Sequence, residues 1–380
     1  MKHRVILAVV CAVVVWVGAA PVSACIWDRD TLNVERQDFP GTLELITGKF
    51  LRHSQAFYQW RVKDRTEALK ERPQDVALMD DLAAAYDKLG QHDKAIDLMR
   101  RKEEIKPGLY ETQANLGTFL IHAGRLQEGL KHIDAAIAIN PDAHFGREVI
   151  QRELVVYVMA QKARHDGALK MPMGQGATYS RQDFATHMAS VHKQDTELGH
   201  EERQAAIKGV LGMMRFGHYD SPVLLEALGD LLKRHTVPDI RDSGRLAARA
   251  YLMASYNSKD KATAKGYRRL ASDALTLYED LTLTSIEKAL RQEMADADAW
   301  VLGVHKQEAA WIAKGGDVDA QFEAVYYNDG EALPAPPVKS PSTGCGASCA
   351  VTPSRPALPA ASMVGLLLLG GVLMRRRSRT

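Results

Sequence analysis

A period of 34 residues constrains this chain more than any other feature. Leu82, Gly90 and Pro107 recur as Leu116, Gly124 and Pro141, and Ala83 and Ala95 are matched by Gly117 and Gly129 at the same offset. In the first unit Met79, Leu82, Ala83 and Tyr86 form an apolar stripe at helical spacing, and Ala95, Ile96, Met99 and Ile105 form a second. Gly90 lies between them, where a helix ending in a left-handed residue needs glycine. Lys106-Pro107 closes the second stripe, because proline cannot continue a helix. The second unit repeats the plan with Leu116, Gly117 and Leu120, then Leu130, Ile133, Ala136 and Ile137. Self-similarity at this period implies stacked helical hairpins, with the small pairs Ala83/Gly117 and Ala95/Gly129 at the helix crossings.

These residues resemble the tetratricopeptide repeat (TPR) family, a helix–turn–helix with small residues at its crossing and a proline after its second helix. The sequence departs from that pattern at the opening Trp, here Met79 and Gln113, and at the second-helix Ala, here Lys102. The best repeats are residues 76–109 and 110–143, within a TPR domain expected over 42–162. Pro73 lies 34 residues before Pro107, so a degenerate first repeat is expected over 42–73, with Arg61 in place of the small residue; a helix cap that is not a repeat is the alternative. Asp142 can cap a further helix over 145–162, either the next repeat's first helix or a solvating cap, and its lack of a partner after Ala163 favours the cap.

A glycine- and proline-containing stretch, 163–179, is expected to be an interdomain loop. A divergent helical domain then covers 180–327, with helices expected near 181–193, 198–216, 222–234, 243–257, 261–280 and 283–314. Within it, Leu228-Gly229 and Leu232, then Ala247, Tyr251 and Ala254, trace one more hairpin with a connection about six residues too long for the family. No segment alternates with period two over a strand's length, so the fold class is all-α: a TPR-type solenoid, a second helical region, a linker and one C-terminal transmembrane helix.

The ends differ from the body. Residues 1–24 have a short basic start, an apolar run and Val22-Ser23-Ala24, which reads as a secretory signal peptide. Cleavage after Ala24 by ordinary signal peptidase fits, and so does a lipoprotein box in which Cys25 is lipidated. The four cysteines, Cys11, Cys25, Cys345 and Cys349, all lie near the ends, which excludes a disulfide framework from the body. Residues 328–355 are a Pro-rich linker, 356–374 an apolar transmembrane helix, and 375–379 an Arg-rich tail that places the C-terminus in the cytoplasm. Gly344-Cys345-Gly346, a spacer, an apolar helix and terminal arginines together resemble bacterial sorting signals of the MYXO-CTERM type. That resemblance implies processing near Cys345 and Cys349; a plain tail anchor, or a Cys345–Cys349 loop, are the alternatives.

Net charge is about +2 over 380 residues, so no bulk field argues for nucleic acid. The catalytic motifs GxSxG, HExxH, the phosphate-binding Gly loop and CxxCH are absent from the sequence. The thirteen histidines are scattered singly, and the densest group, His187, His192 and His200, has poor metal spacing. No cofactor and no metal is therefore expected. The TPR resemblance implies that the first helix of each hairpin lines a partner-binding groove. The groove candidates are Asp80, Ala84 and Asp87, then Glu111, Asn115, Thr118 and His122, then Glu148 and Arg152. Asn115 alone agrees with the family's carboxylate-clamp pattern, so an acidic groove for a basic or polar segment is expected, and reversing Asp80 and Glu111 to Lys should abolish capture. The function expected is an exported, membrane-tethered, non-catalytic interaction scaffold of a bacterial envelope, whose partner is another envelope or membrane protein. The alternative is an envelope enzyme with its site in 180–327.

Overall fold

The computed structural model describes residues 41–174, 182–194, 198–233 and 243–326. The signal peptide, Cys25, Cys345, Cys349, the Pro-rich linker, the apolar helix 356–374 and the Arg tail lie outside the described residues. Among the described residues there are fourteen α-helices, a short 3-10 turn and no β-strand. None of these helices is long and apolar enough to cross a membrane.

The two repeats fold as the period requires. Helices α1 (Thr42–Thr47), α2 (Gln55–Glu71), α3 (Val76–Lys88), α4 (His92–Ile105), α5 (Tyr110–His122) and α6 (Leu126–Ile139) come first, with α3/α4 and α5/α6 as the hairpins. Both hairpin turns close identically. Gly90 (φ 72°) and Gly124 (φ 78°) take the left-handed conformation. The next residue's N–H then reaches back, Gln91 to the Tyr86 carbonyl and Arg125 to that of Leu120, at 2.8 Å each. Small residues are required at the crossing: a Cβ on Gly129 would stand 2.7 Å from the Gly117 carbonyl oxygen. Met79, Ala83, Ala95, Ile96, Met99, Leu116, Phe119 and Leu120 form the core of this pair.

Beyond the repeats the packing departs from expectation. Helix α7 (Arg147–Ala163) is not a solvating cap. Its Ile150, Leu154, Tyr157 and Val158 enter one large core shared with α1, α8 (Phe184–Val191), α9 (His200–Phe216), α10 (Pro222–Leu232), α11 (Gly244–Tyr256) and α12 (Lys261–Asp273). In the described part of the stretch after α7, Met173 is buried and its N–H donates to Glu226 at 2.7 Å. The fully buried Glu226 also accepts from the Tyr267 hydroxyl at 2.8 Å. The described residues belong to one compact unit.

The Leu228–Ala254 hairpin does form. Helices α10 and α11 approach so closely that a Cβ on Gly229 would stand 2.6 Å from the Tyr251 ring. The extra residues of its connection lie outside the described residues.

The degenerate first repeat is half present. Helix α2 packs on α3 as a second helix would, but α1 packs on α9, α11 and α13 (Leu283–Lys314) instead of pairing with α2. The uncovered side of α2 is filled by α13 and α14 (Val318–Tyr326): Phe57 is buried with Val304, Trp311, Val318 and Phe322. Arg61 is large because it meets no hairpin partner; it stacks on Phe57 at 4.4 Å and bonds Asp319 of α14.

Helix α13, 32 residues and about 48 Å long, runs from α11 and α12 back to α2. At its start Arg249, almost fully buried, makes a two-point bond to Glu293 at 2.8 Å. Glu287 accepts from Arg268, Tyr256 and Arg291, at 2.7–2.9 Å. Arg268 first, then Tyr256 and Arg291, pull the Glu287 carboxyl down to about 2, against an ordinary 4.5, while the Tyr256 phenol, desolvated and bonded to that carboxylate, is pushed up to about 12. A folded pKa below the unfolded one gives stability present above about pH 4.5 and lost as pH falls towards 2. The stability difference between wild type and Glu287→Gln should therefore shrink across that window in urea titrations; a difference that stays constant would reject the assignment.

Candidate functional site

Successive first helices stack side by side, so residues about one repeat apart face each other. Asn115 donates to Asp80 at 3.2 Å, and the His122 ring lies 2.9 Å from Asp87; both pairs are 35 residues apart and the two rungs are seven residues, two helical turns, apart. Gln151 of α7 continues the ladder by donating to Thr118 at 3.1 Å. Alongside it opens a cavity of about 460 Å³.

Its walls combine two regions that the sequence reading kept apart. Ala84 and Asp87 come from α3, Asn115, Thr118 and His122 from α5, and Gln151, Leu154, Val155 and Val158 from α7. Met213, Phe216, His218, Val223 and Leu224 come from α9, the following turn and α10. That turn is held by Lys88, whose ammonium donates to the Gly217 carbonyl at 2.6 Å, and by Asn257, which donates to that of Asp220 at 2.7 Å.

Five of the nine groove candidates, Ala84, Asp87, Asn115, Thr118 and His122, line this cavity; Asp80, Glu111, Glu148 and Arg152 do not. Asp80 is turned to the hairpin crossing, 2.5 Å from the ammonium of Lys102. Glu111 is exposed. Glu148 is buried against Arg147 at 2.7 Å, and Arg152 points to Asp134 and Glu153 at 2.8 and 2.6 Å. The expected acidic character is therefore absent: Asp87 is the one carboxylate in a lining that also holds Lys88, Arg147 and Lys162. The larger part of the wall is apolar, which suits an apolar group with a polar end.

Electrostatics at the polar end follow from burial. Burial raises the Asp87 carboxyl, but bonds from His122 and His92 outweigh it and hold the group below the ordinary carboxylate range. Burial lowers the ammonium of Lys88, and burial with the neighbouring His122 and Lys88 lowers the imidazole of His218. Glu148 is raised by burial yet lowered on balance by Arg147 and by the Tyr110 hydroxyl, whose own pKa burial and Glu148 push up.

Sequence reasoning missed His92 and His218. His92 opens α4 directly after the Gly90 turn and lies 2.8 Å from Asp87. His218 brings its ring 5.2 Å from that of His122 across nearly a hundred residues of sequence. The 35-residue offset could have signalled Asp87 and His122; nothing local signals His218.

Over 88 residues the chain is 28% identical to small glutamine-rich tetratricopeptide repeat-containing protein 2 of Mycosarcoma maydis. The similarity is to a TPR protein. It covers 23% of this chain, and the chain spans about a quarter (24%) of that relative's length. No family model matches the chain.

Proposed function

We propose that this chain is a non-catalytic protein–protein interaction scaffold that receives an apolar segment of another protein in the cavity beside α3, α5 and α7. The observation that carries this reading is the wall itself. The first helices of the two hairpins and the following helix α7 line it with Ala84, Thr118 and Val155, and its volume of about 460 Å³ suits a few side chains of a partner. Similarity to a TPR-containing protein supports interaction as the general role. The leader-like residues 1–24 and the Pro-rich, apolar and Arg-rich C-terminal segments support export and tethering to a bacterial envelope, with another envelope or membrane protein as the partner.

Photo-crosslinking groups placed at Ala84, Thr118 and Val155, and as controls at exposed Glu104 and Lys131, test it in native envelopes. One adduct of fixed mass at the cavity positions and none at the controls is expected. Equal labelling at both sets, or none at either, would overturn the reading.

A further inference from the structure

We propose that Asp87, His92 and His122 form a binding site for a divalent transition-metal ion, Zn2+ in the first instance, at the edge of the cavity. The carboxylate of Asp87 at the end of α3 lies between the ring of His92, which opens α4, and that of His122, which ends α5. The Asp87 oxygens are 2.8 Å from Nδ1 of His92 and 2.9 Å from Nδ1 of His122, and one donor atom from each of the three residues lies within 4.8 Å of both others. Zinc bonds of about 2.0–2.1 Å in tetrahedral geometry set ligand atoms roughly 3.3 Å apart, so small side-chain rotations suffice to admit the ion.

The donor set is chemically apt. Two imidazoles and a carboxylate are the ligands zinc takes at sites with three protein donors, where the fourth position stays open. The Asp87 carboxylate, placed between the two rings, offers the negative charge a dication needs. In the metal-free protein each Nδ1 donates its proton to Asp87, which can only accept. Metal binding takes an Nδ1 lone pair from each ring, so the Nδ1 proton must move to Nε2 or leave to solvent. Backbone placement comes from the hairpins: the left-handed Gly90 turn sets His92 five residues after Asp87, and the stacking offset sets His122 opposite it. Asp87 and His122 also line the cavity, so a bound ion would border it with a position available to an occupant. This site does not depend on the scaffold reading.

The test is direct. The full-length chain, stripped with a chelator and dialysed against Zn2+, is expected to retain one ion per chain by elemental analysis. Co2+ in its place should give the visible absorption of a four-coordinate centre. His122→Ala and Asp87→Asn should weaken Zn2+ binding by more than about 100-fold, beyond what loss of a supporting contact costs. His187→Ala, on another helix and bonded to Glu153, should not change it. His92→Gln, the mildest replacement, with circular dichroism on every variant, separates loss of ligand from loss of fold. No Zn2+ retained by the wild type, full retention by His122→Ala, or uptake of Mg2+ or Ca2+ in preference to Zn2+ would each overturn the proposal.

Discussion

Asp80→Ala is expected to lower the free energy of unfolding by about 3 kcal/mol, because it strands a buried ammonium. Lys102 is 1% exposed, and its Nζ donates to Asp80 at 2.5 Å. TPR proteins have a small residue where this chain has Lys102, and the structure shows what the exchange requires. The lysine stem fills the crossing between α4 and α3, and its charge must end on a carboxylate. Asp80 is held there also by Asn115 at 3.2 Å. Burial raises the Asp80 carboxyl above its ordinary range in spite of Lys102. The pair is therefore costly to desolvate, and its removal as a pair should be far milder than removal of one partner. Asp80→Ala combined with Lys102→Met is expected to return to within about 1 kcal/mol of wild type, since an apolar chain of similar length replaces the stem. Urea unfolding of the two single variants and the double variant closes the cycle. Additive losses would show that the two residues act separately. Asp80→Lys is for the same reason no test of partner capture, since it breaks the crossing before it touches the groove.

Helix positions were legible because apolar spacing and end signals are local. Expected helices 198–216, 222–234, 243–257 and 283–314 match α9, α10, α11 and α13 to within two residues at each end. The expected helix 261–280 stops at Asp273: Leu275 and Tyr278 are buried in a turn, and burial alone mimicked continued helix. What the helices pack against was not legible. Apolar residues of α7 read equally well as a cap or as core, and a stripe does not name its partner. The site divides along the same line. Five of nine groove candidates sit on the cavity because repeat register fixes helix faces. Asp80 and Arg152 were diverted towards Lys102 and Asp134, which lie on the second helices of the hairpins. His218 arrives from the turn after α9, beyond the reach of any periodicity.

The closure of α13 onto α2 should depend on one carboxylate. Glu308 is fully buried; its Oε1 lies 2.6 Å from Nδ1 of His53, and its Oε2 accepts from the Ser54 N–H at 2.9 Å. Ser54 caps α2 through Phe57, and the His53 ring stacks on Phe57 at 3.6 Å, so both bonds set the entry of α2. His305, one turn earlier, adds a bond to the Arg52 carbonyl at 3.1 Å. Hydrogen bonds to a charged group contribute about 1.5–3 kcal/mol each, and an N–H left unpaired adds its own desolvation cost. Glu308→Ala should therefore destabilise the protein by about 3 kcal/mol, and Glu308→Gln, which keeps the shape and an acceptor, by about half as much. The loss should be local in its first effect. Amide exchange should quicken in α14 and the last turns of α13, which hold α2 through Phe57, Trp311 and Phe322, before it changes in α3–α6. Uniform acceleration along the chain, or a loss below about 0.5 kcal/mol, would mean that the apolar contacts alone hold the two ends together.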